Sequence, residues 1–257
     1  SRFIINFIIF IVNRDVMINN QDKKRIGLLL PSSNTVQEQE FSCILNNQIS
    51  FHSARLTLRN VDLNSTIHIL DELERAVQSL CDSDVDIIVF GLTAPSSRHG
   101  IGYDLQLKKR IEDLSGKPAI TASSAAIDAL KALHCDNLAF CAPWDEDVNS
   151  FAVSFLTNNG FEVPITKVLG IRSNLEIGRL KLSVAYNLGL EVDRPNIQAI
   201  MMACGNWASM GIINDLESVL KKPVLTTNQV SLWATLKALN VVSSLPGYGV
   251  LLSDHLV

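Results

Sequence analysis

Short apolar runs alternate with longer amphipathic segments along this chain. Residues 25–30 (RIGLLL) and 86–90 (DIIVF) are almost continuously apolar and end at turn residues, a pattern typical of buried parallel strands. Between such runs, apolar residues recur every three to four positions, which predicts helices. The predicted strands are residues 25–30, 49–56, 86–90, 118–121, 137–142, 161–169, 197–203 and 223–226. The predicted helices are residues 35–47, 65–80, 146–159, 175–190, 209–220 and 230–239, with another that follows a loop at 91–100 and ends near 114. This alternation predicts an α/β fold with parallel sheets.

The pattern contains an internal duplication. Residues 117–121 (KPAIT) match residues 222–226 (KPVLT), and each segment precedes a helix that ends in LKAL. Residues 26–31 match 138–143 in the same order. In this alignment Leu92 takes the position of Cys204. The duplication predicts two pseudo-symmetric, Rossmann-like halves, each a parallel sheet flanked by helices, with the active site in the cleft between them.

The duplication also predicts how the chain is divided. We assign residues 23–123 together with 228–257 to the first half, and residues 124–227 to the second. Residues 1–22 fit neither half and are interpreted as an N-terminal extension outside the core. They contain an apolar run at 3–12 that is too short to span a membrane and lacks the flanks of a signal peptide.

Composition and charge exclude several classes of protein. The net charge is −4 and no basic stripe or zinc-ligand spacing is present, so neither a nucleic-acid partner nor a metal site is predicted. No apolar run reaches membrane-spanning length, and no membrane association is predicted. No dinucleotide or phosphate-loop motif follows a strand. The five cysteines form no CxxC pair, which indicates free thiols in a reducing compartment such as the cytoplasm.

Facing α/β halves place the loops after their strands around one cleft. The predicted lining is residues 31–34, 91–97, 143–145 and 204–207. Cys204 follows a buried strand, and a helix starting near residue 209 would supply N–H groups for an anion and lower the pKa of the thiol. The alternative is a buried structural cysteine. The remaining cysteines are interpreted as core or near-surface thiols without a role in the site. Those are Cys43, Cys81, Cys135 and Cys141.

Several motifs in order along residues 25–239 carry a family resemblance. They are residues 31–35 (PSSNT) with Glu38, Glu40 and Phe41; Pro143 and Trp144 with Asp147, Val148 and Asn149; residues 169–174 (LGIRSN) with 176–179 (EIGR); and Cys204. Together they resemble the Asp/Glu racemase superfamily, within it the branch of maleate cis–trans isomerases and arylmalonate decarboxylases. The resemblance implies a small carboxylic or dicarboxylic acid as substrate, no metal or organic cofactor, and a homo-oligomer.

The resemblance also implies a role for Cys204. Racemases of this superfamily use two facing cysteines as proton donor and acceptor, and maleate isomerases use the first as a nucleophile. Arylmalonate decarboxylases keep only the second cysteine, which protonates an enediolate. The first cysteine position is Leu92 here, and the usual tyrosine after the second-half proline is Trp144, whose N–H can donate but not accept.

These two departures favour one-base chemistry. We therefore expect an enzyme that forms an enediolate-type intermediate and protonates it with Cys204, as a decarboxylase does. Two alternatives stay open. One is a maleate-like cis–trans isomerase or racemase-family isomerase working by an altered route. The other is a protein that binds a carboxylate without converting it, because fold does not fix function.

The remaining candidate residues would hold the substrate. Amide groups of Asn34 and Asn174 are expected to bind carboxylate oxygens. The alternatives are that Asn34 only satisfies its own turn and that Asn174 only caps a helix. Further donors or walls of the predicted site are Ser33, Leu92, Thr93, Trp144, Gly205 and Asn206. Arg98 and His99 are interpreted as solvated.

Overall fold

Parallel strands in two four-stranded sheets organise the protein. The computed structural model describes residues 23–45, 49–62, 65, 68–240 and 244–256. The strand order is β2-β1-β3-β4 in the first sheet and β6-β5-β7-β8 in the second. The strands are β1 (Lys24–Pro31), β2 (Ile49–Leu56), β3 (Ile87–Phe90), β4 (Ala119–Thr121), β5 (Asn137–Ala142), β6 (Glu162–Val168), β7 (Ala199–Met202) and β8 (Val224–Thr226). The two parallel sheets predicted from the sequence are confirmed.

Helices flank both sheets. They are α1 (Gln37–Ile44), α2 (Leu73–Cys81), α3 (Thr93–Ser97), α4 (Tyr103–Ser115), α5 (Ala122–Ala132), α6 (Glu146–Asn158), α7 (Asn174–Ile177), α8 (Leu182–Val192), α9 (Ile213–Leu220), α10 (Thr227–Leu239) and α11 (Val250–Asp254). Short 3-10 turns at Ile69–Glu72 and Met210–Ile212 precede α2 and α9. No helix in the described ranges is long and apolar enough to cross a membrane.

The duplication extends to individual side-chain contacts. Thr121 caps α5 and Thr226 caps α10, each by accepting a main-chain N–H three residues later. Glu112 accepts the N–H of the first residue of β4, and Glu217 accepts that of the first residue of β8. The repeated letters of the sequence therefore correspond to repeated hydrogen bonds.

The two halves pack on one another through helices that follow the last strand of each repeat. α10 packs against β3, β4 and α5 as well as against β8. One apolar cluster contains buried residues of both sheets, such as Ile26 of β1 and Phe140 of β5. This shared core fixes the relative position of the sheet edges that carry the site. The assignment of residues 228–257 to the first half stays a prediction.

Several predicted element boundaries were wrong. The loop expected at 91–100 contains α3, because Pro95 is tolerated in a first turn and the Ser96 and Ser97 hydroxyls bond back to the carbonyls of Leu92 and Thr93. The helix expected over 175–190 is two helices that break at Gly178, where a β-carbon would collide with Thr35 and Asn206. The helix expected from 209 begins as a 3-10 turn at Met210. The predicted N-terminal extension, residues 1–22, lies outside the described residues, as do the end of the first predicted helix at 46–47 and part of the next one.

Candidate active site

A cleft of about 370 Å³ lies between the carboxyl ends of the two sheets. Parallel sheets place ligands at this edge because the loops after the strands converge there. The lining combines four loops that follow strands β1, β2, β3 and β7 with residues after β5 and at the start of α7. The lining residues are Pro31, Asn34, Leu58, Val61, Gly91, Leu92, Thr93, Ala94, Pro95, Trp144, Asn174, Cys204, Gly205 and Asn206.

Cys204 contributes a protonated thiol to this cleft. The residue is buried, with 6% of its surface exposed. Burial raises the pKa of the Cys204 thiol to about 12, and the main-chain N–H of Asn206 offsets only part of that effect. The expectation that a helix start lowers this pKa was wrong, because burial outweighs it and the first helical residue, Met210, lies beyond a turn at residues 205–206. The thiol is therefore suited to donate a proton.

The backbone of Cys204 is strained. Its φ of 152° lies in a region that residues with a side chain rarely adopt. Its main-chain N–H donates a hydrogen bond to Thr227 Oγ1 at 3.0 Å, and Thr227 Oγ1 lies 3.1 Å from Thr93 Oγ1. Strained residues persist where their surroundings over-determine them, and they cluster at functional sites.

The turn after Cys204 is held from both halves. The carbonyl of Gly205 accepts hydrogen bonds from Asn34 Nδ2 at 3.1 Å and Asn228 Nδ2 at 3.2 Å. Asn206 Oδ1 accepts the N–H of Thr35 at 2.8 Å. The Asn206 amide donates to the carbonyl oxygens of Asn174 at 2.6 Å and Ser33 at 3.4 Å. The side chain of Asn206 is thus engaged in structure, and its main-chain N–H is the group turned towards the thiol.

Asn34 lines the cleft and also organises its own turn. Its Oδ1 accepts the N–H groups of Val36 and Gln37, each at 3.0 Å, so this side chain satisfies the start of α1. Its Nδ2 group donates one N–H to the carbonyl of Gly205. An amide nitrogen has two N–H groups, which leaves the second for a ligand.

Asn174 and Ser33 form a linked pair at the edge of the cleft. Asn174 Nδ2 donates to Ser33 Oγ at 2.8 Å, and the Ser33 hydroxyl donates to the carbonyl of Leu58. The alternative that Asn174 caps α7 was wrong, since Ser173 accepts the N–H of Glu176 in that role. Asn174 is the first residue of the helix and is 2% exposed.

Part of the lining is apolar. Leu58, Val61 and Leu92 are at most 5% exposed, and their side chains contain only carbon and hydrogen. Trp144, which is 1% exposed, also lines the cleft, and its indole Nε1 has no hydrogen-bond partner in the described structure. A buried N–H without a partner carries a desolvation cost that a bound anion would remove.

Sequence reasoning missed some residues of the site. Leu58 and Val61 follow β2, while Thr227 and Asn228 follow β8. Their position just after a parallel strand is the signal that could have identified them, because loops at the carboxyl ends of such strands hold ligands. The buried carboxamide of Gln37, which lies against Gly91 and Gly205, had no signal in the pattern because its contacts are long-range.

Other singled-out residues lie elsewhere. The His99 ring contacts the Tyr103 ring at a tilt of 57°, and the Arg98 guanidinium lies 5.8 Å from the centroid of the Phe151 ring; neither His99 nor Arg98 lines the cleft. All five cysteines are free. Among the described residues, no group of three or more His, Cys, Asp or Glu side chains is arranged to hold a metal ion.

Comparison with known proteins decides the family. Residues 26–252 match the family model described as arylmalonate decarboxylase. The chain belongs to this family. It is 28% identical to a maleate isomerase from Pseudomonas putida over 89% of the chain and 97% of that protein. It is 24% identical to the arylmalonate decarboxylase of Bordetella bronchiseptica over 63% of the chain and 69% of that protein.

Solved structures agree with the fold. A crystal structure of a maleate isomerase from Pseudomonas putida superposes with a TM-score of 0.87 at 25% identity, and the match covers 90% of this chain and 98% of that one. The family resemblance found in the sequence motifs is confirmed. So is the prediction of an enzyme of the isomerase or decarboxylase kind.

Proposed function

We propose that this enzyme decarboxylates a malonate-type diacid, in which both carboxylates are attached to one carbon. In this proposal the reaction uses no metal or organic cofactor, and Cys204 protonates the product. The observation that carries the proposal is a protonated thiol, Cys204, that shares its cleft with a leucine at the equivalent position of the other half. Such a site can deliver a proton from one side only.

The two kinds of wall in the cleft suit the two carboxylates differently. We assign the carboxylate that is retained to the polar lining, where Asn34, Thr93, Trp144, Asn174 and the Gly205–Asn206 turn supply donors. The carboxylate that leaves would lie against Leu58, Val61 and Leu92. A charged group without donors is costly in such surroundings, so loss of neutral carbon dioxide relieves that cost.

The proposed chemistry has two steps. The bond between the α-carbon and the departing carboxylate breaks, carbon dioxide leaves, and the electron pair delocalises into the retained carboxylate as an enediolate. Cys204 then transfers its proton to the α-carbon, which produces a monocarboxylate and a thiolate. The thiolate takes a proton from water, and because its pKa is about 12 this recovery is strongly favoured.

Cis–trans isomerisation of a maleate-like acid is the second candidate. The similarity to a curated maleate isomerase over nearly its whole length favours it. A nucleophilic mechanism requires a thiolate, and a pKa of about 12 leaves roughly one Cys204 in 10⁵ ionised at pH 7. The leucine at position 92 also cannot attack an alkene. The alternative of carboxylate binding without conversion is not favoured, because the named relatives of this chain are enzymes.

The test uses the purified protein with phenylmalonate, methylmalonate and maleate in D₂O, followed by NMR. Decarboxylation predicts a monocarboxylate with one deuterium at the α-carbon, and Cys204→Ala should abolish it. Fumarate from maleate would favour the isomerase instead. Saturable binding without turnover would favour the binding protein, and full activity of Cys204→Ala would overturn the role of the thiol.

We also propose that the enzyme acts in the cytoplasm as a homo-oligomer. Free thiols support the first statement, because a reducing compartment maintains them. Exposed apolar side chains such as Ile101, Leu105 and Val219, each more than half exposed, support the second. Sedimentation velocity at micromolar concentration tests the assembly, and a monomer would contradict it.

A further inference from the structure

Glu40 connects three elements around the candidate thiol without lining the cleft. It lies on α1, and its Oε1 accepts the main-chain N–H groups of Ser209 at 2.9 Å and Met210 at 3.0 Å. Its Oε2 accepts a hydrogen bond from Asn228 Nδ2 at 2.6 Å. One carboxylate therefore joins α1 to the segment that follows Cys204 and to the first turn of α10.

These contacts reach both ends of the turn. Ser209 and Met210 follow the segment 205–208 that contains the turn, and Asn228, which Glu40 orients, donates to the carbonyl of Gly205 where that segment begins. Cys204 itself has a strained backbone and relaxes unless its neighbours hold it. A carboxylate that fixes both ends of the next five residues would supply that constraint.

We propose that Glu40 is a positioning residue that holds the turn after Cys204 and so fixes the direction in which the thiol delivers its proton. The proposal deepens the proposed decarboxylation and rests on it for its kinetic readout alone. The carboxylate is required for a chemical reason. Donors converge on both of its oxygens, and an amide at this position would turn an NH₂ group towards at least one of them.

The chain contains a matched control. Glu217 accepts the N–H of Val224 at 3.0 Å with Oε1 and the N–H of Val250 at 2.8 Å with Oε2. Burial raises the pKa of both Glu40 and Glu217, so both carboxylates carry a desolvation cost offset by main-chain donors. Glu217 contacts neither the cleft nor the turn after Cys204. Replacing each by glutamine removes a buried, hydrogen-bonded carboxylate, in one variant beside the turn after Cys204 and in the other away from it.

The experiment compares Glu40→Gln with Glu217→Gln. For decarboxylation, Glu40→Gln should lower kcat at least about tenfold with a smaller change in KM, because a displaced donor misses the reacting carbon while the carboxylate-binding residues outside the turn, Thr93, Trp144 and Asn174, stay in place. Glu217→Gln should lower the thermal midpoint without lowering kcat. Equal kcat values in the two variants would overturn the proposal.

A second readout needs no substrate. Each protein is treated with iodoacetamide at fixed pH, and alkylation of Cys204 is followed by peptide mass spectrometry. Glu40→Gln should label Cys204 several-fold faster, while the fully buried Cys141 on β5 labels at its wild-type rate. Unchanged labelling of Cys204, or a parallel rise at Cys141, would contradict positioning. This result is independent of whether any diacid is decarboxylated, so it separates failure of this proposal from failure of the proposed function.

Asn228 provides a further test of the same contact. Asn228→Ala should lower kcat in the same way, and the double variant with Glu40→Gln should lose little more than either single variant, because the two residues act through one chain of hydrogen bonds. Additive losses would overturn the coupling. Glu40→Asp, which keeps the charge but shortens the reach, takes the place of Glu40→Gln if that variant does not fold, with the same expected loss of kcat.

Discussion

The main-chain N–H of Cys204 donates a hydrogen bond to the hydroxyl oxygen of Thr227, 3.0 Å away. Thr227 is the first residue of α10 and is buried. Thr227→Val should leave this N–H without an acceptor and lower the free energy of unfolding by about 1–3 kcal/mol. Urea denaturation measures the loss. Thr227→Ser keeps the oxygen and is the control, and a valine variant as stable as the serine variant would contradict the bond's importance.

Leu92 should determine that the product has one handedness. Leu92→Cys places a second thiol on the other half, so protonation from both sides becomes possible and a disubstituted malonate should give a product of much lower enantiomeric purity. Chiral chromatography of the product measures this. Leu92→Ala is the control: it creates a cavity costing about 2–5 kcal/mol but adds no thiol, so its product should keep one handedness. A single-handed product from Leu92→Cys would refute the predicted geometry.

Trp144 should contribute substrate affinity through its indole N–H. Trp144→Phe removes that donor, and the loss of a hydrogen bond to a charged carboxylate should raise KM about tenfold or more. Steady-state kinetics measures it. Trp233→Phe is the control, because the indole of Trp233 donates instead to the carbonyl of His255 at 2.7 Å. Its expected effect is on the thermal midpoint alone, and a matching rise in KM would argue against a specific role for Trp144.

The raised pKa of Cys204 predicts how stability depends on pH. The ordinary value is 9.0 and the folded value is about 12, so between these pH values the unfolded chain has lost the proton while the folded protein keeps it. Folding stability contributed by this group is fully present below pH 9 and falls as pH rises towards 12, at about 1.4 kcal/mol per pH unit. Burial also raises the pKa of Cys141, so the wild type alone cannot isolate Cys204.

Comparison with Cys204→Ser isolates it, because serine does not titrate in this range. Urea denaturation of both proteins at several pH values from 8.5 to about 10.5 should give a steeper decline for the wild type. Parallel declines would mean that Cys204 titrates in the folded protein at its ordinary value.

The sequence predicts the fold because its signals are local. Runs such as residues 86–90 and the repeated KP motifs at 117 and 222 indicate strands and their order without reference to distant residues. The same repeat aligns Leu92 with Cys204, which is the relationship on which the proposed chemistry depends. Both residues do line one cleft.

The features that could not be predicted from the sequence depend on contacts between residues that are far apart along the chain. The pKa of Cys204 depends on its burial by residues distant in sequence, which overrides the local expectation of a helix start. Asn206 reads as a possible ligand donor, yet its side chain bonds to Ser33, Thr35 and Asn174 on other segments. Glu40 and Asn228 are 188 positions apart, so nothing in the local pattern indicates their contact.

The hydrogen bonds between segments beside Cys204 govern how a substrate enters. Asn206 binds Thr35, Asn174 binds Ser33, and Asn34 binds Gly205, so three hydrogen bonds join the two halves near the thiol. Separating the two halves would break these bonds, at roughly 3–9 kcal/mol for three buried groups left unpaired. Hinge opening that separates the two halves would therefore be rare. We therefore expect acids to reach the thiol without separation of the two halves, so their cross-section should limit which of them enter before any chemistry begins.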